Sequence, residues 1–139
     1  METTNFLLWA AIVIGGGGFA VFSMVNAFLK PVKQTPFPNR VIDQPSIPLS
    51  EAASTAFVAA TGTYRAGDYR GAVEQFTQVL EKEPNCAEAF HNLGRAYANI
   101  GDNNKAVRSF LKAGDAYDQQ GTKAGIDSLK QDMETLKAI

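Results

Sequence analysis

The chain is poor in the residues that build most small active sites. It has one cysteine, Cys86, and one histidine, His91. A lone cysteine excludes an intramolecular disulfide and a cysteine-based metal cluster. One histidine, with no second His or Cys near it in the pattern, gives a metal site almost no support. No phosphate-binding P-loop, nucleophile elbow or N-x-Ser/Thr glycosylation sequence occurs. Hence no catalytic residue, cofactor site or metal ligand is assigned, and the chain reads as a non-enzyme. Charge is also missing from one region: the first 29 residues carry only Glu2. Proline is nearly missing from another, with Pro84 alone beyond residue 48. These two absences divide the 139 residues into segments. Residues 51–139 hold 10 Lys/Arg and 12 Asp/Glu, a net of −2. That balance offers no basic patch for nucleic acid.

The uncharged run Phe6 to Leu29 is long enough to span a bilayer core, roughly 36 Å at about 1.5 Å per residue. Trp9 suits one interface, and Lys30 followed by Pro31 closes the other end. Residues 1–30 are therefore expected to form a transmembrane anchor helix. A cleaved signal peptide would need a basic start, a shorter apolar run and a small-x-small cleavage site. Met1 to Asn5 contains no Lys or Arg. Lys30, Lys33 and Arg40 follow the span, which places the N-terminus outside and the rest on the cytoplasmic, or stromal, side. Gly15, Gly16, Gly17 and Gly18 lie mid-span, overlapped by the small-xxx-small pairs Ala11/Gly15 and Gly16/Ala20. Such spacing lets another helix approach closely. The expectation is a docking face for an integral membrane complex, or room for a bulky pigment or lipid; the alternative is a flexible anchor helix without a fixed partner.

Residues 31–49 hold Pro31, Pro36, Pro38, Pro45 and Pro48. Proline fixes φ and removes a donor, so this stretch is expected to be an extended linker. Two readings stand. One is a plain semi-rigid spacer. The other is a strap lying along a partner, with Val32, Phe37, Val41, Ile42 and Ile47 as apolar anchors.

An internal repeat follows. Gly67-Asp68-Tyr69-Arg70-Gly71-Ala72 aligns with Gly101-Asp102-Asn103-Asn104-Lys105-Ala106 at an offset of 34, which also pairs Phe76 with Phe110. Counted from Ala87, large or small residues recur as Phe90, Leu93, Gly94, Tyr97, Ala106, Phe110 and Ala113. This pattern and period resemble the tetratricopeptide repeat (TPR) family. Counted from Ala53, the second helix fits through Ala72, Phe76 and Pro84, whereas the first is degenerate, with Ala56, Ala59, Ala60 and Thr63 at the signature places. The fold expected is all-α: two TPR hairpins over 50–120 (repeats 53–86 and 87–120), then a capping helix over 121–139. Ser50, Asp68 and Asp102 are expected N-caps, and Gly67 and Gly101 mark the turns. In the cap, Ile126, Leu129, Met133 and Leu136 form the apolar face. Lys123, Asp127, Lys130, Asp132, Glu134 and Lys137 form the polar one.

The resemblance implies a concave groove lined by the first helix of each repeat. Carried over by position, its residues are Phe57, Thr61, Tyr64, Arg65, Glu88, His91, Asn92, Arg95 and Asn99. A protein or peptide partner is expected there, read by Arg–carboxylate and Asn–backbone hydrogen bonds. The chaperone-tail clamp of one TPR subgroup is not expected, because Phe57 and Thr61 stand where that clamp needs Lys and Asn. His91 is expected to be an exposed helix residue, Cys86 a small packing residue, and Glu81 and Glu83 a solvated helix end. The layout is similar to single-pass, membrane-anchored TPR assembly factors of photosystem I, which would put the chain in a thylakoid. It implies a scaffold that assembles or stabilises a membrane complex. An accessory subunit and a recruiter of a soluble protein are the alternatives.

Overall fold

Short apolar and small residues at helical spacing, punctuated by Gly and Pro, produce a chain of helical hairpins. The computed structural model describes residues 35–139. The anchor reading of residues 1–30, its glycine run, and the anchor position Val32 lie outside them. The described helices are α1 (Glu51–Arg65), α2 (Tyr69–Lys82), α3 (Ala87–Asn99), α4 (Asn103–Gln120) and α5 (Lys123–Lys137). Among the described residues, no helix is long and apolar enough to cross a membrane. Each helix packs mainly on the next in sequence, and α5 also touches α3.

Local chemistry sets the boundaries. Ser50 Oγ accepts from Ala53 N at 3.2 Å, Asp68 Oδ1 from Gly71 N at 2.9 Å, and Asp102 Oδ1 from Lys105 N at 3.1 Å. Each satisfies an amide that the first helical turn leaves unpaired. Gly67 and Gly101 take φ of 82° and 85° at the two hairpin turns, a conformation glycine adopts without a Cβ clash. These caps and turns match the sequence expectation.

Two clusters form the core. Phe57, Tyr64, Phe76, Val79 and Leu93 fill the space between α1, α2 and α3. Phe110, Tyr117, Leu129 and Leu136 fill that between α3, α4 and α5. Phe37, from the segment before α1, joins the second cluster and meets the Phe110 ring edge-on at 6.1 Å. The helices approach closely at Gly94, where a Cβ would lie 2.5 Å from the Phe110 ring. Phe110 has little room to yield, since it is fully buried and also stacks edge-on with His91.

The capping helix departs from expectation at one residue. Leu129 and Leu136 are buried and Ile126 and Met133 pack beside them, as the periodicity implies. Asp132, assigned to the polar face, is 0 % exposed. It turns inward because two groups on α3 bind its carboxylate, and no pattern of hydrophobicity encodes such a partner.

Gly94→Ala is expected to destabilise the domain by about 1–3 kcal/mol through overpacking. Circular dichroism melting of the full chain in detergent micelles would show a lowered Tm. An unchanged Tm would contradict the close α3–α4 packing.

Candidate functional site

Helix α3 is amphipathic in an unusual way, because both of its faces are buried. Leu93, Gly94 and Ala96 meet other helices, while Glu88, Asn92, Arg95 and Asn99 recur along the opposite side. All four polar residues are at most 6 % exposed. Buried polar groups require partners. Here the partners come from the segment between residues 37 and 46.

That segment lies along α3 and runs antiparallel to it. Asn99 Oδ1 accepts from Phe37 N at 2.9 Å while its Nδ2 donates to Phe37 O at 3.0 Å. Two turns earlier, Asn92 repeats the arrangement on Ile42, with Oδ1 accepting from Ile42 N at 2.8 Å and Nδ2 donating to Ile42 O at 2.9 Å. Between them, Arg95 Nη1 donates to Arg40 O at 2.8 Å. Glu88 Oε1 accepts from Ser46 N at 3.0 Å and also from the Ser46 hydroxyl. Tyr64 OH donates to Phe37 O and receives Asn99 Nδ2 at 2.9 Å. Arg65 pairs with Asp43 on the exposed rim. A carboxamide that takes both the N–H and the C=O of one residue substitutes for a neighbouring β-strand, so this is peptide recognition within one chain.

The segment's own chemistry suits the role. Pro36, Pro38, Pro45 and Pro48 exclude helix and favour an extended path. Asn39 has φ of 57° just after Pro38, as a Pro-Asn turn allows. That turn carries Phe37 into the core, where it is 0 % exposed.

A buried polar network backs the groove. His91 Nε2 lies 2.7 Å from Asp132 Oδ2 and its Nδ1 lies 3.0 Å from Tyr117 OH. Neutral His91 then donates to the carboxylate through Nε2 and accepts from Tyr117 through Nδ1. Arg95 Nε donates to the same Asp132 oxygen at 2.5 Å, and Arg40 of the strap reaches Asp132 Oδ1 at 3.4 Å. Burial holds the His91 pKa below its ordinary value, against the pull of Asp132. Arg95 already shares that carboxylate, so a protonated imidazole would add another buried cation. Burial raises the Asp132 pKa, but hydrogen bonds from His91 and Arg95 outweigh it and leave it below normal. His91 and Asp132 are both 0 % exposed, so this His–Asp pair is closed to substrate and reads as structural chemistry. Burial likewise lifts the Cys86 thiol to about 11, which keeps it protonated.

Residues 64–126 match the family model of the tetratricopeptide repeat. This segment is a TPR domain. The match begins at the end of α1, so it leaves out most of the helix whose signature positions are degenerate. No curated protein and no solved structure matches the chain.

Of the nine groove positions carried over from the TPR pattern, six hold the strap: Tyr64, Arg65, Glu88, Asn92, Arg95 and Asn99. The other three do not. Phe57 is core, edge-on to Phe76 at 5.9 Å. Thr61 Oγ1 donates within its own helix to Val58 O. His91 is fully buried in the network rather than exposed, because Tyr117 and Asp132 cover both ring nitrogens. From residue 35 onward the linker is docked on its own helical domain. Ile42 is clamped through its backbone, and Val41 packs half-buried on the first core cluster. The sequence reading missed Arg40, Asp43, Ser46, Tyr117 and Asp132 as groove or network residues. The Pro38-Asn39 pair was the one local signal of the turn that aims Phe37 inward.

Two outcomes follow. Phe37→Ala is expected to cost about 3–5 kcal/mol, the range for emptying a buried aromatic site, read by chemical denaturation of the full chain in micelles. The depressed His91 pKa gives a pH dependence of definite sign. The unfolded chain binds a proton near pH 6.5 that the folded one refuses, so stability is whole above that pH and falls as pH drops below it. The Tm should decline from pH 7.5 to 5.5, and His91→Gln should flatten that slope.

Proposed function

We propose that this chain is a membrane-anchored protein-interaction module that assembles or stabilises a membrane protein complex. The observation that carries the interaction part is the backbone clamp on α3. Asn99 and Asn92 hold an extended segment by its amides and carbonyls, the chemistry by which a groove reads a protein partner. The TPR domain at 64–126 supports the same reading, since such repeats present surfaces for proteins or peptides. The uncharged run Phe6 to Leu29 supports an anchor, and the small residues Ala11, Gly15, Gly16, Gly17, Gly18 and Ala20 support a helix-packing contact within the bilayer. Basic residues after the run favour the TPR domain on the cytoplasmic or stromal side. The similarity to photosystem I assembly factors rests on layout alone, with no residue motif behind it. The sealed His91–Asp132 pair has no catalytic part in this proposal.

The test is mild-detergent co-purification of the tagged full chain from its native membrane, with partners quantified by mass spectrometry. Sub-stoichiometric recovery of incomplete intermediates of one membrane complex is the expected result. A fixed-ratio set of mature subunits would make the chain an accessory subunit instead. Recovery of no membrane-complex subunit would overturn the proposal. Gly15→Leu with Gly16→Leu is expected to keep the chain in the carbonate-resistant membrane fraction while reducing complex recovery several-fold, as loss of close helix packing implies.

A further inference from the structure

The groove is already full, and the way it is filled identifies what else it accepts. Five of its hydrogen bonds go to strap backbone at Phe37, Ile42 and Arg40, through Asn99, Asn92 and Arg95. Tyr64 adds a further bond to Phe37 O. Backbone groups belong to every protein segment, so these bonds demand a path and a register rather than the strap's own sequence. The strap's one fully buried side chain is Phe37, enclosed beside Phe110. The Ser46 hydroxyl adds a second side-chain contact by donating to the buried Glu88 carboxylate, and the ion pairs of the strap are weaker holds. Arg65 and Asp43 are each about half exposed, 51 % and 48 %, where ion pairs contribute little. Arg40 is 48 % exposed and stands 3.4 Å from Asp132.

We propose that the strap is an exchangeable occupant, and that the groove accepts in its place an extended segment of a partner protein. This rests on the interaction reading above. The partner segment runs antiparallel to α3. It carries an aromatic side chain for the Phe37 site, with a second clamped residue five positions later for Asn92. The prolines keep the released strap extended, so neither docking nor release makes or breaks a helix. Release frees residues 35–49, roughly 45 Å of contour at about 3.1 Å per residue. The tethered strap competes at an effective concentration in the millimolar range, so a free segment enters only when the strap is weakened or the partner is held close by. The groove is thus closed by default and opened by an adjacent partner.

The experiment uses the full chain in detergent micelles and a fluorescent synthetic peptide of residues 35–48. The Phe37→Ala chain should bind this peptide at least about tenfold more tightly than the wild-type chain, whose own strap competes. Asn92→Ala added to Phe37→Ala should remove that binding. Hydrogen exchange on the wild-type chain provides a measurement free of folding defects. The amides of Phe37 and Ile42 should exchange by strap release, well before those in the middle of α3. If both amides exchange only with global unfolding, or if a folded Phe37→Ala chain ignores the peptide, the strap is a permanent part of the core and the proposal fails. A concentration-dependent dimer of the Phe37→Ala chain, with straps traded between copies, would overturn the assignment to a foreign segment. Failure on these grounds leaves the interaction reading to be judged by co-purification. Partner contact would then move to the outer cleft of about 420 Å³ between α2 and α4, where Leu80, Phe90 and Tyr97 lie beneath Lys105, Arg108 and Lys112.

Discussion

Helix α3 is covered on both sides, and one side is polar. Glu88, Asn92, Arg95 and Asn99 would face water in an open groove, at no cost. In this chain they face a proline-rich strap, and once covered they must be paired. The carboxamide clamps meet that requirement with the one partner whose geometry is always available, a peptide backbone. Much else follows from this pairing. The strap path, the burial of Phe37 and the closure of the groove all depend on polar residues on a single helix face.

The network behind the groove extends the same logic. Asp132 gathers His91 and Arg95 from α3 and Arg40 from the strap, so one carboxylate on the capping helix ties together two helices and the strap. A buried carboxylate of this kind adds little net stability over an apolar contact, because desolvation offsets the attraction. It fixes the capping helix on α3, since displacing α5 would leave Arg95 unpaired, whereas releasing the strap removes only Arg40 from the carboxylate. The small domain also gains core from outside its helices. Phe37 reaches the cluster shared by α3, α4 and α5, supplying apolar contact that two repeats and a cap would otherwise lack.

The proposed interaction and the proposed anchoring fall to different segments of the chain, the groove of α3 and the uncharged run Phe6 to Leu29. The prolines serve both states of the strap. They hold it extended against α3, and they would hold it extended when free.

The five helices were legible because their signals are local. The Asp and Ser caps and the positive-φ glycines act within one turn of chain, the 34-residue offset repeats them, and each stands where the sequence puts it. The polar stripe of α3 was legible by position as well, from Glu88 to Asn99. What could not be read was the identity of its partner. Asn99 meets a residue 62 positions away, and Asp132 meets Arg95 across 37. Hydrogen-bond pairing over such distances leaves no periodic trace in composition or spacing. Asp132 looked like solvent-facing polarity and His91 like an exposed helix residue, because sequence registers that a group is polar but not what covers it. The amino-acid sequence by itself determined the repeat, the helix boundaries and the extended strap. Only the tertiary structure decided that the strap fills its own groove, because burial and hydrogen-bond satisfaction are properties of what the folded chain brings together.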